Sequence, residues 1–310
     1  MFGDLALGII FLIQMGVGIL GNFFLLGLYS FTLFIGQRLR PIDCIFAHLT
    51  LANSEVLLSK GIPHTIACLG IKNFLDRIGC RITVCIQNVA RSVSLSITCL
   101  LSGFQVITIS PSNSKWAELK PQAQKCVVHS CFLCWCFYLL INFTLLGTIS
   151  NNTRVWNIGF CSQFSSSSLK VSRFLILSSI PDFLCVGFMV IASNYLVLLL
   201  QRHHQQVQYI HSSSHLSRRS PEIKATYTIL VLVSTYVSFY SANSVLSFYL
   251  FIFDKYYVWL MPTSAFLAAC FPAISPFVLL SSDSHILQLF YSLWKKKRSQ
   301  HSPFPGCSLD

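Results

Sequence analysis

The stretch LALGIIFLIQMGVGILGNFFLLGLYSFTLFI, residues Leu5–Ile35, contains no Asp, Glu, Lys or Arg. A helix that crosses the hydrocarbon core of a membrane needs about 20 mainly apolar residues, since each residue rises about 1.5 Å. Six more runs of this length follow. The seven predicted spans are Leu5–Ile35, Ile42–Ala67, Cys80–Thr108, Val127–Ile149, Val171–Leu200, Ala225–Ile252 and Val258–Leu280. The sequence therefore predicts an all-α membrane protein whose seven-helix bundle occupies residues 1–282.

Composition excludes a soluble protein. Of the 310 residues, 54% are hydrophobic and only 10% are charged, which leaves too little polar surface to keep the chain dispersed. The spans are predicted to be helical because backbone groups in lipid must satisfy their own hydrogen bonds. The first run is much longer than the apolar region of a signal peptide, and we expect it to be an uncleaved anchor.

The charge distribution predicts the orientation. The net charge of +12 is compatible with nucleic-acid binding, but the Lys and Arg residues follow the loops of a membrane protein. With the N-terminus outside, thirteen of them lie on the cytoplasmic side and seven on the outer side. This bias predicts an outer N-terminus and an inner C-terminus. The expected partner of the basic side is anionic membrane lipid, not nucleic acid.

The chain after the last span predicts a second kind of membrane contact. Ile286, Leu289, Phe290 and Leu293 recur with helical spacing and end at the basic run Lys295–Arg298. This pattern predicts an amphipathic juxtamembrane helix over residues 283–298, lying on the inner leaflet. A nuclear-targeting role for the basic run does not fit seven spans. Residues 299–310 are predicted to form a disordered cytoplasmic tail.

Two cysteines and one sequon fall on the predicted outer side. Cys80 opens the third run and Cys161 lies in the second outer loop, where the oxidising environment favours disulfides. Cys85, about one helical turn deeper, is the alternative partner of Cys80, and the pair Cys80–Cys161 is preferred. Asn151 heads an Asn-Asn-Thr sequon in the same outer loop and is the predicted glycosylation site.

No catalytic constellation is found. The chain has no glycine-rich phosphate loop, no HExxH motif, and no Ser–His–Asp set on one side of the membrane. Cys131, Cys134 and Cys136 have a spacing typical of metal or redox sites, but apolar and aromatic residues surround them and no histidine is near. Packing is the favoured interpretation. We therefore expect no enzyme activity, no cofactor and no metal.

The third run carries a polar stripe. The residues of this stripe are Gln87, Arg91, Ser94, Thr98, Ser102 and Gln105. Their spacings of three and four place them on one helical face, which must face protein or water when the helix is in lipid. The helix is therefore expected to be central. The alternative, that Ser and Thr bond only to their own backbone, does not explain the arginine.

Charged residues within the spans are candidates for ligand contact. Glu55 and Arg91 lie at similar depth on antiparallel neighbours, which suggests an ion pair between them, and Lys60 and Arg91 are expected to line a water-filled cavity. Asp182, which follows Pro181, is a further candidate. The predicted ligand-binding residues are Gln87, Arg91, Ser94, Lys60, Glu55 and Asp182. Structural pairing remains an equal alternative for each of them.

Four motifs resemble one family. They are TCLLSGFQVITISP (residues 98–111) continuing as SNSKWAELK (112–120), LLSKGIP (57–63), SPEIKAT (220–226) and FPAISPFVL (271–279). Each resembles the corresponding segment of vomeronasal type-1 receptors, and the resemblance extends from the first predicted span to the seventh. The chain departs from the broader rhodopsin-like pattern at Asn53, at Phe104-Gln105-Val106 and at Ser275-Pro276. The usual inner ionic lock and sodium site are therefore not expected.

The resemblance implies a pheromone-type G-protein-coupled receptor of the plasma membrane. It implies a small pheromone-like ligand and an inhibitory-class heterotrimeric G protein as partners. The cytoplasmic face predicted to dock the G protein comprises Gln105, Lys115, Lys120, Arg218, Arg219 and Lys224. A bitter-taste-type receptor, of close architecture, is the alternative. A membrane channel or transporter fits less well, because no internal repeat is visible.

Overall fold

The computed structural model describes residues 2–36, 39–71, 74–111, 116–148, 155–157, 162–164, 168–210, 221–253 and 260–282. Near several helix ends it describes the backbone but not the side chains. The predicted juxtamembrane helix of residues 283–298 and the tail of residues 299–310 lie outside these ranges. In chain order the described elements are α1 (Phe2–Phe34), α2 (Pro41–Val56), a π-helical turn (Leu57–Gly61), α3 (Ile62–Cys68), α4 (Arg77–Ile109), a 3-10 turn (Ala117–Leu119), α5 (Lys120–Thr148), β1 (Val155–Asn157), β2 (Ser162–Phe164), α6 (Ser168–Ile210), α7 (Pro221–Phe253) and α8 (Leu260–Ser282).

Six helices in the described part of the chain are long and apolar enough to cross a membrane, namely α1, α4, α5, α6, α7 and α8. They coincide with six of the predicted runs. The remaining run, Ile42–Ala67, falls on α2, the π turn and α3, whose junction residues keep right-handed helical backbone angles. These three pieces form one continuous rod over residues 41–68, about 42 Å long at about 1.5 Å per residue.

A proline explains the π turn. Pro63 has no N–H, so it leaves the carbonyl of Ser59, four residues earlier, without its α-helical donor. The helix widens into a π turn over these residues, as helices often do at an irregularity. Gln87 of α4 donates from Nε2 to the Ser59 carbonyl at 2.6 Å. The irregular part of the rod is therefore bonded to α4.

Helix α4 is the central helix of the bundle. Asp76 caps its start by accepting a hydrogen bond from the backbone N–H of Gly79 at 2.8 Å. Across its apolar part 67% of the residues are buried, against 17–28% in α1, α5, α6 and α7. It contacts α2, α5, α6 and α7. The prediction that the third run is central is confirmed.

Helices α1 and α8 approach closely through two glycines. A Cβ atom at Gly18 would lie 2.9 Å from the backbone of α8, and one at Gly21 would lie 2.8 Å from Cγ of Pro276. Asn22, which follows Gly21 on α1, donates from Nδ2 to the carbonyl of Pro272 on α8 at 2.8 Å. Pro276 leaves that carbonyl without a backbone donor in α8, and the side chain of Asn22 on α1 takes the place of the missing N–H.

A short antiparallel hairpin in the connection between α5 and α6 was not predicted. Strands β1 and β2 pair with Val155 opposite Phe164 and Asn157 opposite Ser162. Strand β2 lies against α4. Cys161 immediately precedes β2 in the sequence and lies outside the described residues.

Candidate functional site

A cavity opens between α2, α4, α7 and α8 and contains about 370 Å³ of space not filled by protein atoms. Its lining consists of Val56, Arg91, Ser94, Tyr236, Phe239, Tyr240, Asn243, Leu267, Ala268, Phe271 and Pro272. Its lining is mainly apolar and is furnished with a few polar groups, as is common in cavities that bind small molecules. Two of the predicted ligand-binding residues, Arg91 and Ser94, face this cavity.

Arg91 forms an ion pair inside the bundle. Its Nη2 lies 3.0 Å from Oδ2 of Asp182 on α6. Its Nη1 lies 3.4 Å from the hydroxyl oxygen of Tyr240 on α7, and this hydroxyl donates to Oδ2 of Asp182 at 3.0 Å. The three side chains therefore join α4, α6 and α7, and we call them the ionic cluster.

The predicted partner of Arg91 was wrong. The carboxylate at hydrogen-bonding distance is that of Asp182, and no ion pair of Glu55 is found among the described residues. The reason is rotation about the helix axis, not depth. On α2 it is Asn53 that faces α4, and Glu55, two residues further, is turned about 200° away from it at 100° per residue. Equal depth on neighbouring helices does not bring two side chains together.

Aromatic rings surround the ionic cluster. The guanidinium carbon of Arg91 lies 5.7 Å from the ring centre of Tyr240, a distance at which a cation is attracted to an aromatic face. Tyr236 stacks on Tyr240 with 6.0 Å between ring centres, and it meets Phe271 edge-on at 4.4 Å. Sequence reasoning missed both tyrosines, although their spacing of four residues places them on one face of α7.

A neutral network lies beside the cavity. Ser94 donates from Oγ to Oδ1 of Asn53 at 2.7 Å, and Nδ2 of Asn53 donates to Oγ of Ser275 at 2.9 Å. Ser275 in turn donates to the carbonyl of Pro272 at 3.4 Å. Because Asn53 is completely buried and both of its amide atoms are bonded, this network joins α2, α4 and α8. The role of Ser94 is therefore at least partly structural.

The remaining predicted ligand-binding residues lie apart from the cavity at Arg91. Lys60 lines a narrower space of about 220 Å³ between α1, the π turn and α8, beside Phe11 and Gln14. The expectation that Lys60 and Arg91 share one cavity was therefore wrong. Gln87 is engaged with the carbonyl of Ser59.

The residues predicted for the G-protein face are only partly described. Gln105 is 5% exposed, so it is buried in the bundle and does not lie on an open surface. Lys120 begins α5 and is half-buried. Lys224 lies in the first turns of α7, of which only the backbone is described. Lys115, Arg218 and Arg219 lie outside the described residues.

The bonding states of the described cysteines agree in part with the predictions from the sequence. Cys80 is disulfide-bonded, whereas Cys85, the alternative partner considered for it, carries a free thiol. Cys161 and the sequon residue Asn151 lie outside the described residues. Cys131 is buried in the main apolar core, as the packing interpretation predicts.

Fold and cavity together define a multi-pass α-helical membrane protein with a cavity between its helices. The chain belongs to the vomeronasal organ pheromone receptor family, whose family model matches residues 5–292. It is therefore a member of a family of chemosensory G-protein-coupled receptors of the plasma membrane, which is not a family of enzymes. The bitter-taste-type alternative is replaced by this assignment.

Curated relatives support the assignment over nearly the whole chain. The sequence is 43% identical over 302 residues to human "Vomeronasal type-1 receptor 1", covering 96% of this chain and 85% of the relative. It is 45% identical over 293 residues to human "Vomeronasal type-1 receptor 3", with 92% and 94% covered. A zebrafish (Danio rerio) protein, "Olfactory receptor class A-like protein 1", is 30% identical over 285 residues, with 89% of each chain covered.

Proposed function

We propose that this protein detects a small pheromone-like molecule in the cavity at Arg91 and activates an inhibitory-class heterotrimeric G protein. One observation carries the proposal. The cavity is lined by a cation whose counter-ion and hydroxyl partner belong to two other helices. A ligand that changes the surroundings of Arg91 therefore changes what holds α4, α6 and α7 together.

The proposed topology has seven spans, with the N-terminus outside and the C-terminus inside. The second span is the rod formed by α2, the π turn and α3. The orientation is supported by the excess of Lys and Arg in the loops assigned to the cytoplasm. In this topology the cavity lies in the outer half of the bundle, and residues 283–298 lie on the inner leaflet with their basic run against anionic lipid.

The outer loop carries two further proposed features. Cys161 is the proposed partner of Cys80, supported by the disulfide-bonded state of Cys80, the free thiol of Cys85 and the contact of β2 with α4. Such a bond closes a loop of roughly 80 residues and is worth about 4–5 kcal/mol in the chain-entropy model. Asn151 is the proposed glycosylation site.

Signal transfer follows from the helices that meet at the cavity. Prolines in α6 and α8 remove backbone hydrogen bonds and permit bending at Pro181, Pro272 and Pro276. We propose that a movement of α6 and α7 relative to α4 uncovers Gln105 at the inner end. Together with Lys115, Lys120, Arg218, Arg219 and Lys224, it would then form the basic surface that the G protein contacts.

G-protein activation by the surface-expressed full chain tests the function. Cells that co-express an inhibitory-class G protein are exposed to a panel of volatile and steroidal compounds, and nucleotide exchange on the G protein is measured. A compound is expected to activate the wild type but not the variant Arg218→Glu/Arg219→Glu/Lys224→Glu, although both reach the surface. Failure of the entire panel, or a membrane current without nucleotide exchange, would contradict the proposal.

Epitope tags test the topology independently. A tag at the N-terminus is expected to be reached by antibody on intact cells. A tag at the C-terminus is expected to be reached only after permeabilisation. Both tags in the same compartment would exclude an odd number of spans.

A further inference from the structure

The two partners of the buried ion pair differ in their access to the cavity. The side chain of Arg91 is 33% exposed and contributes to the cavity wall, whereas the side chain of Asp182 is 1% exposed and does not. A molecule in the cavity therefore meets the guanidinium and not the carboxylate.

Arg91 also keeps unused hydrogen-bonding capacity. A guanidinium carries five N–H donors in a planar fork, and the described contacts of Arg91 use one of them on Asp182 and another on Tyr240 at the long distance of 3.4 Å. Planar forks of this kind bind carboxylates and related oxyanions through two parallel hydrogen bonds. The remaining donors make no described contact, and Arg91 itself is one of the residues that line the cavity.

The charge of the surroundings favours an anion. Among the described residues that line the cavity, Arg91 is the single charged one and none carries a carboxylate. Asp182, the counter-ion of Arg91, is not among the residues that line the cavity. An anionic ligand would meet the guanidinium there, whereas a cationic ligand would meet a like charge.

The apolar residues that line the cavity determine the chemistry of the rest of the ligand. Tyr236, Phe239 and Phe271 present aromatic surface, and Leu267 and Ala268 present aliphatic surface. These walls favour a ligand whose remaining part is apolar and carries a ring. The amide of Asn243 is the remaining polar group on α7, and it already accepts a hydrogen bond from Ser264 at 2.8 Å.

From these observations we infer that the cavity takes a small aromatic or alicyclic molecule with a single oxyanion group, such as a carboxylate, and that this group binds Arg91 in competition with Asp182. Asp182 is then the internal counter-ion of the ligand-free receptor. The inference rests on the proposed function, since it names the ligand class of the same cavity. When the ligand takes over Arg91, α6 loses its ionic link to α4, while Tyr240 keeps its hydrogen bond to Asp182.

Competition predicts opposite effects from removing either member of the pair. The full chain is purified in detergent, and its thermal unfolding midpoint is measured with about 10 mM benzoate or with benzyl alcohol, its neutral counterpart. In the wild type benzoate is expected to raise the midpoint by about 2–4 °C and benzyl alcohol is not. Asp182→Asn is expected to bind benzoate roughly tenfold more tightly, because the internal competitor is gone. Arg91→Gln is expected to lose the response.

The double variant Arg91→Gln/Asp182→Asn guards against misfolding, because it leaves no unpaired charge; it too is expected to lose the benzoate response. Lys125→Gln, which removes an exposed cation from the second turn of α5, is expected to keep it. Equal shifts with benzoate and benzyl alcohol, a weaker benzoate response in Asp182→Asn, or a response retained in the double variant would each overturn the inference. G-protein activation by neutral compounds alone would overturn it and leave the proposed function intact. A rise in the unfolding midpoint with benzoate, but without any G-protein activation, would contradict the proposed function and leave the inferred binding site intact.

Discussion

The two halves of the polar stripe on α4 use their side chains differently. In the half nearer the start of the helix, Gln87, Arg91 and Ser94 bond to the rod of the second run, to α6 and α7, and to α2. In the half nearer its end, Thr98 donates to the carbonyl of Ser94 at 2.8 Å. Ser102 likewise donates to the carbonyl of Thr98 at 2.9 Å. The described bonds of the first half join helices, whereas the hydroxyl groups of Thr98 and Ser102 in the second half bond only within α4.

Side-chain length explains this difference. Gln and Arg are long enough to cross the space between two helices, whereas a Ser or Thr hydroxyl reaches its own backbone more easily. Ser94 is the exception because Asn53, a longer side chain, reaches it from α2. A regular polar stripe therefore does not by itself indicate a functional surface. The functional part of the stripe is the part whose side chains form hydrogen bonds to other helices.

Loss of Arg91 is expected to have the largest effect. Arg91→Gln leaves the carboxylate of Asp182, 1% exposed, without a counter-ion, and breaking a buried pair in this way costs about 3–5 kcal/mol. Asp182→Asn is expected to cost less, since Arg91 is 33% exposed toward the cavity. Thermal unfolding of the two variants in detergent measures the difference. Equal losses would show that the two partners do not differ in access.

Loss of Ser94 is expected to have the next largest effect. Ser94→Ala removes the donor to Oδ1 of Asn53, which is completely buried, and an unsatisfied buried acceptor costs about 1–3 kcal/mol. Ser102→Ala is the matched control on the same stripe, and its effect is expected to be small because its acceptor carbonyl keeps the helical N–H. Equal unfolding midpoints for the two variants would remove the distinction between the halves of α4.

Much of the fold could be predicted from the sequence because lipid imposes a minimum length and composition on each helix. The apolar runs located the six long helices and the rod of the second run, and the stripe identified α4 as central. The helix ends could not be predicted in this way. α5 begins at Lys120 and α6 continues to Ile210, both beyond the apolar runs, since a helix continues in water wherever its residues permit it.

The site was predicted less completely. Arg91 and Asp182 were both recognised as charges that need an explanation within the bundle, yet Arg91 was paired with Glu55. A sequence fixes the depth of a residue along its helix but not the rotation of that helix about its axis. The π turn illustrates the same limit: Pro63 was visible, but the donor that replaces its missing N–H comes from Gln87, which is 28 residues distant along the chain.

The bond between Gln87 and the π turn gives a smaller and more selective prediction. Gln87→Leu leaves the carbonyl of Ser59 without the donor that compensates for Pro63, at a cost of about 1–2 kcal/mol. Pro63→Ala restores a backbone N–H four residues after Ser59. Gln87→Leu is therefore expected to cost less in the Pro63→Ala background, with a coupling energy above about 0.5 kcal/mol. The coupling energy is measured from the unfolding midpoints of the wild type, Gln87→Leu, Pro63→Ala and the double variant. Strict additivity would mean that Gln87 does not replace the missing donor.

The smallest effect is expected where the stripe bonds only to itself. Thr98→Val keeps the shape of the side chain and removes its bond to the carbonyl of Ser94, at 2.8 Å. That carbonyl still accepts the helical N–H of residue 98, so the expected loss stays below about 1 kcal/mol, the net contribution of one hydrogen bond. Benzoate binding is expected to be unchanged, although Thr98 is only one turn from Ser94. A loss as large as that of Ser94→Ala would mean that Thr98 also bonds beyond its own helix when α4 moves. The stripe would then act along its whole length in joining helices, and the division of α4 into two halves would fail.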